Sequence, residues 1–324
     1  MIRVTYELDP PEAAETLALV ESVGRAGGSD RVRARVVELQ AGRAVLEFPA
    51  ATNDVALLVS SLFAGEWADS AAFTRCRLVA VDWPDGFLPG PAFDAPERTL
   101  VGAIVKPSLG LSPTEVAATA SQLAAAGADL VKDDELLGDP ESCPLEDRVR
   151  AVVAAGVNYA ANVTGPVETL LTRAARVVAL GAGAVMLNVF AQGVDALRAL
   201  RDAELGVPIF AHRVGAALWA RQPAFGVAPA IVAELTRICG ADYVQVGSFS
   251  GTVYDTADDV RAEIEGCHRP IGAARRSVAV IGGGVGPDNA AQQLDAAGTR
   301  SGVMVLFGSA AYDGSRPKKE LEIA

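Results

Sequence analysis

The stretch Lys132-Asp133-Asp134-Glu135 places one amine and three carboxylates directly after the apolar run 127–131. Charge at the end of a buried strand is unfavourable unless a cation or a network of ion pairs neutralises it. Because side chains alternate along a strand, Lys132 and Asp134 are predicted to face one side and Asp133 the other. Glu135 follows in the loop and can turn back toward Lys132. Such oxygen ligands suit a hard cation such as Mg²⁺; the alternative is a solvated turn whose carboxylates cap a helix.

Composition narrows the functions that these residues can serve. The chain has 324 residues and a net charge of −12 without a Lys/Arg-rich segment, so we expect neither nucleic acid nor an anionic membrane as a partner. It has two histidines, His212 and His268, which excludes a metal site built from several histidines of one chain. The four cysteines form no CxxC pair and are expected to be reduced. No apolar run reaches membrane-spanning length and the first residues lack a signal-peptide pattern, so we expect a cytoplasmic protein.

Hydrophobic periodicity divides the chain into two parts. Residues 1–95 predict a small α+β domain of ferredoxin-like class, and the Pro- and Gly-rich segment 83–91 marks its end. Its helices are predicted at 11–24 and 54–62, and its strands at 31–39, 43–49 and 74–81. Residues 96–324 alternate short apolar strands with alanine-rich helices, which favours a (β/α)₈ barrel that carries the active site and has little or no last helix. The barrel strands are predicted near 101–106, 128–133, 157–163, 183–189, 207–212, 242–248, 277–281 and 302–307.

Each predicted barrel strand ends in a polar or glycine residue. In chain order the strand ends carry Lys106, the 132–135 stretch, Asn162, Asn188, His212-Arg213, Gly247-Ser248, Gly282-Gly283-Gly284 and Gly308-Ser309. The C-terminal ends of all strands meet at one mouth of such a barrel, where its active site lies. We therefore expect these residues to surround a single site.

The glycine turns after the last two strands predict a phosphate site. Backbone N–H groups of Gly283, Gly284 and Gly308 can bind an anion, and barrels of this type often hold phosphate at this place. Asn289 can cap the next helix and direct its positive end toward the same anion. The alternative is that the glycine run is only a flexible turn.

Two long motifs stand at the first two strand ends: Gly102-Ala-Ile-Val-Lys-Pro-Ser-Leu-Gly-Leu-Ser112 and Gly127-Ala-Asp-Leu-Val-Lys-Asp-Asp-Glu135. They resemble the motifs G-x-I-x-K-P-x-L-G-L-S and G-x-D-x-x-K-D-D-E of the RuBisCO large-subunit superfamily. Ala211-His212-Arg213, the glycine turn and Phe307-Gly308 follow in the order and spacing of that family. The chain is similar in particular to the RuBisCO-like proteins of form IV, which do not fix CO₂. The resemblance spans the barrel and, more weakly, the N-terminal domain.

The resemblance implies a function for each of these residues. CO₂ would carbamylate Lys132, and this carbamate, Asp134 and Glu135 would bind Mg²⁺. Lys106 would be the acid/base lysine at the carbon next to a carbonyl, and His212 would act on a substrate hydroxyl. The predicted substrate and phosphate ligands are Arg213, Asn162, Gly283, Gly284, Gly308 and Ser309. Family members form dimers in which one subunit's N-terminal domain covers the partner's barrel mouth, so a homodimer with shared active sites is expected.

Departures from the carboxylases argue against CO₂ fixation. Ser108 stands where they have a second lysine, Phe249 stands where they have a histidine, and no lysine follows the Gly-Thr-Val of 251–253. Residues 51–53 replace their T-G-T-W phosphate motif. The RuBisCO-like enolases of methionine salvage take a lysine base from a stretch that aligns near Glu66. Glu66 either faces the substrate across a dimer interface or is a surface carboxylate.

These features predict a Mg²⁺-dependent enzyme that acts through an enediolate on a phosphorylated keto-sugar or keto acid-sugar. A decarboxylase of the 3-oxo-isoapionate-4-phosphate type is favoured, because decarboxylation needs enolate stabilisation followed by protonation and no second phosphate site. The alternatives are a 5-methylthioribulose-1-phosphate isomerase and a 2,3-diketo-5-methylthiopentyl-1-phosphate enolase. A non-catalytic sugar-phosphate-binding protein is an alternative of another class, which the presence of Lys106, Lys132, Asp134 and Glu135 disfavours.

Overall fold

The computed structural model describes residues 1–24, 31–49, 54–63, 65–321 and 323. Its strands are β1 Ile2–Asp9, β2 Arg35–Gln40, β3 Arg43–Phe48, β4 Arg75–Asp82, β5 Leu100–Ile104, β6 Leu130–Lys132, β7 Tyr159–Asn162, β8 Ala184–Asn188, β9 Ile209–His212, β10 Phe225–Val227, β11 Tyr243–Val246, β12 Val278–Gly282, β13 Val303–Phe307, β14 Tyr312–Asp313 and β15 Arg316–Pro317. Its α-helices are α1 Ala14–Val20, α2 Val55–Leu58, α3 Pro113–Ala125, α4 Leu145–Ala154, α5 Leu170–Ala179, α6 Val189–Gln192, α7 Val194–Asp202, α8 Ala216–Ala220, α9 Pro229–Ile238, α10 Ala257–His268 and α11 Ala290–Ala297.

A five-stranded sheet in the order β10-β4-β1-β3-β2 forms the N-terminal domain. β1 pairs antiparallel with β3 and β4, and β2 pairs antiparallel with β3. The strands predicted from the sequence include β2, β3 and β4 but not β1. This strand lies at the centre of the sheet, and its buried Val4, Tyr6 and Leu8 carry the alternation that could have shown it.

The sheet also contains β10, which comes from the second half of the chain. β10 pairs parallel with β4, with Phe225 opposite Cys76 and Val227 opposite Leu78. The Arg77 guanidinium on β4 donates to the carbonyls of Ala220 at 2.8 Å and Phe225 at 3.1 Å, which fixes the segment before β10. The two parts of the chain are therefore joined through a shared sheet, and the predicted division at residue 95 stays a prediction.

The eight strands β5 to β9 and β11 to β13 close into a parallel barrel. The predicted fold class, a (β/α)₈ barrel preceded by a smaller α+β domain, is confirmed. Apolar side chains fill the barrel interior, among them Met186, Phe210 and Met304. The strand register places Asn188 of β8 beside His212 of β9, so that polar strand ends lie at the same level of the barrel.

Helices on the outside of the barrel connect its strands, and the local sequence determines where they begin. α3 starts with a capping box in which Ser112 and Glu115 satisfy each other's backbone N–H groups, followed by proline at the first helical position. After β13 the described residues form only a 3₁₀ turn, Ser309–Ala311, and the hairpin β14–β15. The expected lack of a full last helix is confirmed in that part. None of the described helices is both long and apolar enough to cross a membrane.

Candidate active site at the barrel mouth

Asp133 faces helix α4, as strand alternation predicts. Arg148 of α4 places its Nε 3.0 Å from Asp133 Oδ1, and its Nη2 donates to Oδ2 at 3.0 Å. The Tyr159 hydroxyl and the Asn162 backbone N–H, at 2.8 Å, also donate to this carboxylate. Both members of the ion pair are fully buried. Asp133 therefore stabilises the barrel wall and is not available as a ligand.

Lys132 is buried beneath the mouth with 1% of its surface exposed. Its Nζ donates to the Asp133 carbonyl at 2.7 Å and lies 5.7 Å from the ring centroid of Phe210. Burial lowers the pKa of Lys132 to about 8, although the charges of Glu135 and Asp134 act to raise it. A large fraction of this amine is therefore neutral at mildly alkaline pH, and the neutral amine is the nucleophilic form.

Asp134 and Lys106 form an ion pair across the ends of β6 and β5. Lys106 Nζ donates to Asp134 Oδ2 and to Ser108 Oγ at 3.2 Å. Burial acts to raise the pKa of Asp134, but the hydrogen bonds from Lys106 and from the Leu136 N–H outweigh it and hold this pKa below its usual value. Asp134 is thus an anionic oxygen donor, and the Lys106 amine lies directly beside it.

Two asparagines hold the main chain of Glu135. Asn188 Nδ2 donates to the Glu135 carbonyl at 2.8 Å, and Asn162 Nδ2 donates to the same oxygen at 3.2 Å. The Glu135 side chain extends toward β9, where its Oε2 lies 3.5 Å from His212 Nε2. Asn162 therefore contacts the backbone of the predicted metal ligand Glu135 and not its carboxylate.

His212 is a neutral imidazole in this arrangement. Burial first, and then the charges of Lys132 and Arg213, lower the pKa of His212 well below its usual value. Its Nδ1 accepts the backbone N–H of Val214 at 3.2 Å, which places the ring proton on Nε2. Nε2 then presents an N–H donor beside Glu135.

Arg213 is held by two carboxylates that follow β11. Its Nη2 donates to Asp255 Oδ1 at 2.9 Å, and its Nη1 lies 3.5 Å from Glu263 Oε2. Tyr254 covers the guanidinium, with 5.5 Å between its ring centroid and Cζ. Burial alone would lower the pKa of Arg213, but Glu263 and Asp255 raise it, so the charge stays and is balanced. Asp255 occupies Nη2, whereas the buried Nη1 makes no hydrogen bond, and the predicted role of Arg213 as a phosphate ligand stays a prediction.

A cavity of about 410 Å³ opens at the barrel mouth. It is lined by predicted site residues from five strand ends: Lys106, Glu135, His212, Gly283, Gly284, Gly308 and Ser309. Gln245, from the middle of β11, also lines it. Gly283 and Gly284 have φ of +109° and +70°, values that favour glycine. A Cβ on Gly284 would lie 2.3 Å from Thr252 Oγ1. The glycine turn is thus fitted closely against the loop that follows β11.

Glu66 lies in the N-terminal domain and does not line this cavity. It is exposed, and it borders a small cleft formed with Thr16, Leu17 and Trp67. The Glu21 carboxylate accepts the Trp67 N–H at 2.9 Å. Within one chain the structure therefore does not bring Glu66 to Lys106. Residues 51–53, where the carboxylase phosphate motif is replaced, lie outside the described residues.

The donor set at the end of β6 fits a hard cation under one condition. Among the described residues, no group of three or more His, Cys, Asp and Glu side chains could hold a metal ion. Asp134 and Glu135 supply two carboxylates, and an amine at Lys132 supplies no oxygen. A carbamate on Lys132 would complete a set of three anionic oxygen donors. The residues present fit Mg²⁺ if Lys132 carries that carbamate.

Sequence reasoning missed two polar residues of the site. Gln245 lies within β11 rather than at its end, and its Oε1 is buried without a hydrogen-bond partner. Tyr312 follows the barrel in the chain, yet its hydroxyl contacts the backbone at the end of β5. Inward alternation along β11 could have indicated Gln245, whereas no motif indicates Tyr312.

Comparisons with known proteins agree with this fold. The family model of the ribulose bisphosphate carboxylase large chain, catalytic domain, matches residues 92–271. An uncharacterized ribulose bisphosphate carboxylase-like protein of Bordetella bronchiseptica is 30% identical over 304 residues, which cover 85% of this chain and 69% of that protein. The chain therefore belongs to the RuBisCO large-chain superfamily, as a RuBisCO-like protein of the non-carboxylating form.

A curated relative and a solved structure extend the comparison. The 2,3-diketo-5-methylthiopentyl-1-phosphate enolase of Geobacillus kaustophilus is 31% identical over 258 residues, covering 72% of this chain and 62% of that protein. The octameric ribulose-1,5-bisphosphate carboxylase/oxygenase of Pyrococcus horikoshii superposes with a TM-score of 0.88 at 25% identity, covering 96% of this chain and 84% of that chain. This chain thus spans less than two thirds of the enolase.

Proposed function

We propose that this protein is a cytoplasmic, Mg²⁺-dependent enzyme that moves a proton at the carbon next to a carbonyl of a phosphorylated keto-sugar or keto acid-sugar. The observation that carries the proposal is the cavity at the barrel mouth, where Lys106, His212 and Glu135 share one space with Gly283 and Gly308. Groups that can transfer a proton thus share one space with a glycine turn whose backbone N–H groups can bind an anion. A substrate with a phosphate at one end and a carbonyl nearby matches that distribution.

Lys132, Asp134 and Glu135 would hold the metal, with Lys132 as its carbamate. The carbamate would form when the neutral Lys132 amine adds to CO₂: the N–C bond forms, one C=O π pair moves to oxygen and one proton leaves to water, and the lowered pKa of Lys132 favours this step. Bound Mg²⁺ would supply a Lewis acid that polarises the carbonyl and stabilises negative charge on its oxygen. The fixed backbone of Glu135, held by Asn162, supports this role.

The chain's own residues divide the remaining work. Lys106 Nζ, partly exposed to the cavity, would remove or deliver the proton at carbon. The Nε2–H of His212 would donate to a substrate hydroxyl or carbonyl oxygen. The N–H groups around Gly283, Gly284, Gly308 and Ser309 would bind the phosphate. An enediolate formed by proton removal can be reprotonated at the neighbouring carbon. The same kind of enediolate can also form by loss of CO₂ from a β-keto acid.

Decarboxylation of a substrate of the 3-oxo-isoapionate-4-phosphate type is the favoured reaction. The C–C bond to the carboxylate breaks, its electron pair forms the enediolate, and Lys106 returns one proton to carbon. The balanced charge around Arg213 supports a substrate that needs one phosphate site only. The enolase reaction on 2,3-diketo-5-methylthiopentyl 1-phosphate is the second candidate, supported by the 31% identical enolase. Glu66 in place of a lysine base argues against it.

Incubation in deuterium oxide with Mg²⁺ and bicarbonate tests the proposal. The panel would contain ribulose 5-phosphate, fructose 1-phosphate, 3-oxo-isoapionate 4-phosphate and 2,3-diketo-5-methylthiopentyl 1-phosphate, with products read by NMR. We expect deuterium at a carbon next to the carbonyl, and release of CO₂ only from the β-keto acid. Binding of these compounds without any exchange would instead support a sugar-phosphate-binding protein.

We further propose that the enzyme is a homodimer in which a partner's N-terminal domain covers the mouth. Exposed apolar side chains lie in four of the segments that follow barrel strands: Leu109, Leu136, Val167 and Leu218, the last 87% exposed. The N-terminal domain exposes Leu39 and Leu57 as well. Such unpartnered apolar surfaces favour association, and the Pyrococcus structure is octameric.

Co-expression of the Lys106→Ala and Glu66→Ala variants tests the sharing of sites. In a dimer of Lys106→Ala and Glu66→Ala subunits, one site combines both changes and the other has neither. If the partner's Glu66 completes the site, the mixture recovers exchange that neither variant shows alone. If Glu66→Ala is fully active, Glu66 is a surface carboxylate and has no part in the reaction.

A further inference from the structure

Tyr312 connects the C-terminal segment to the strand that ends at the proposed acid/base lysine. The Lys106 backbone N–H donates to the Tyr312 hydroxyl at 2.8 Å, and this hydroxyl donates to the Ile104 carbonyl at 2.8 Å. One oxygen atom therefore satisfies both backbone groups just where β5 ends and its ladder partners are lost. Without it a backbone donor and acceptor next to the site would have no protein partner.

The segment that carries Tyr312 is itself held at several points. Tyr312 begins the hairpin β14–β15, in which it pairs with Pro317. The Lys318 N–H donates to the Ala311 carbonyl at 2.8 Å, which closes the hairpin. The Leu321 N–H donates to the Ala126 carbonyl at 2.7 Å, at the C-terminal end of α3. The segment thus spans the β5–α3 unit and contacts it at the end of each element.

We propose that Tyr312 is a positioning residue for Lys106: its hydroxyl fixes the backbone from which the lysine side chain extends toward Asp134. The inference rests on the proposed function, in which Lys106 moves the proton. A lysine on a four-carbon stem reaches many positions, so that its useful orientation depends on a fixed Cα. A displacement of about 1 Å can reduce a proton-transfer rate by about 100-fold.

Three further features support this role. Tyr312 is 9% exposed and packs within the large hydrophobic core outside the barrel interior, which keeps its hydroxyl in place. Burial also raises the pKa of Tyr312 to about 12, so the hydroxyl remains protonated and can donate and accept at the same time. Gly308 and Ser309, just before Tyr312 in the chain, line the cavity. One stretch of chain thus contacts Lys106 and also supplies residues of the proposed phosphate site.

The test compares Tyr312→Phe with Tyr6→Phe as a matched control. Tyr6 is also buried, and its hydroxyl donates to the Leu62 carbonyl at 2.9 Å within the N-terminal domain. Deuterium exchange into 3-oxo-isoapionate 4-phosphate and 2,3-diketo-5-methylthiopentyl 1-phosphate gives kcat and KM, and amide exchange by mass spectrometry reports on the Lys106 N–H. For Tyr312→Phe we expect kcat to fall about 10- to 100-fold with KM nearly unchanged, together with faster amide exchange at Lys106. Tyr6→Phe should change neither kcat nor the amide-exchange rate at Lys106.

A second variant covers the case in which Tyr312→Phe does not fold. 3-Fluorotyrosine at position 312 retains the ring and a hydroxyl that is a weaker acceptor, and it should lower kcat in the same sense by less. The inference would be overturned, and the proposed function left intact, by one combination of results. In it, Lys106→Ala abolishes exchange, but kcat is unchanged in whichever position-312 variant folds. Full exchange by Lys106→Ala would instead overturn the proposed function, and the role of Tyr312 with it.

Discussion

Lys106 and Asp134 face each other across the ends of two neighbouring barrel strands, with the lysine amine donating to the carboxylate. One of these side chains is the proposed proton carrier and the other a proposed metal ligand. The contact places the amine at the wall of the cavity, among the residues that line it. It also means that the amine neutralises Asp134 whenever no cation does so.

Replacement of Lys106 by Met should abolish proton exchange and leave the fold intact. We expect the exchange rate to fall about 10²- to 10⁴-fold, which is the usual contribution of a positioned acid or base. NMR detection of deuterium in the substrate measures it. Lys319→Met, at an exposed position in the C-terminal segment, is the matched control and should be fully active. Equal exchange by both variants would show that another group carries the proton.

Arg148→Met should destabilise the barrel without a direct effect on chemistry. The change leaves the buried Asp133 carboxylate without its cation, and breaking such a pair costs about 3–5 kcal/mol. Urea denaturation measures the loss. Arg150→Met is the control on the same helix, since its ion pairs with Glu146 and Asp147 are exposed and contribute at most about 1 kcal/mol. Similar losses for the two variants would contradict the structural role of Asp133.

Gly284→Ala should weaken binding of the phosphate. The position has φ of +70°, and a Cβ would lie 2.3 Å from Thr252 Oγ1, so the turn must shift. We expect KM for a phosphorylated substrate to rise about tenfold, a loss of about 1.4 kcal/mol. Gly298→Ala has nearly the same φ, +69°, but no atom within 4 Å of its Cβ, and it separates backbone strain from the effect on the site. An equal KM in both variants would contradict a phosphate site at this turn.

Glu263 should make stability fall as pH rises from about 4.5 to about 7. Burial raises the pKa of Glu263 from 4.5 to about 7, against the opposing charge of Arg213. The folded state therefore holds this proton more tightly than the unfolded chain. The resulting stabilisation is complete below pH 4.5 and is lost as pH rises through 7, with a slope of at most about 1.4 kcal/mol per pH unit. Urea denaturation across this range should show a shallower decline in Glu263→Gln. The exposed Glu265→Gln is the control, and a parallel decline in all three proteins would refute the assignment.

Residues at strand ends could be predicted from the sequence because parallel strands of a barrel bring their C-terminal ends together. Lys106, Glu135 and His212 are found in one cavity for this reason. The contacts of Arg213 could not be predicted, since its partners Asp255 and Glu263 lie about forty to fifty residues further on, in the loop after β11 and in α10, and depend on how both fold. The contact of Tyr312 could not be predicted for a similar reason, because its hydroxyl bonds to backbone groups, which carry no sequence signal.

The strand β10 illustrates the same limit for the fold. Phe225–Val227 is three residues long, too short for periodicity to distinguish, and the N-terminal sheet recruits it through pairing with β4. By contrast the barrel strands repeat a regular alternation with helices, and all eight lie near their predicted positions. Long-range pairing of short segments is determined by tertiary packing rather than by local pattern.

The proposed metal site requires Lys132 as a carbamate that binds Mg²⁺ with Asp134 and Glu135. Isothermal titration calorimetry of Mg²⁺ binding with and without bicarbonate, in wild type and in Lys132→Met, measures this requirement. We expect bicarbonate to raise the Mg²⁺ affinity of the wild type about tenfold or more and to leave that of Lys132→Met unchanged. A Mg²⁺ affinity that does not change with bicarbonate, or that is the same in both proteins, would contradict a carbamate at Lys132.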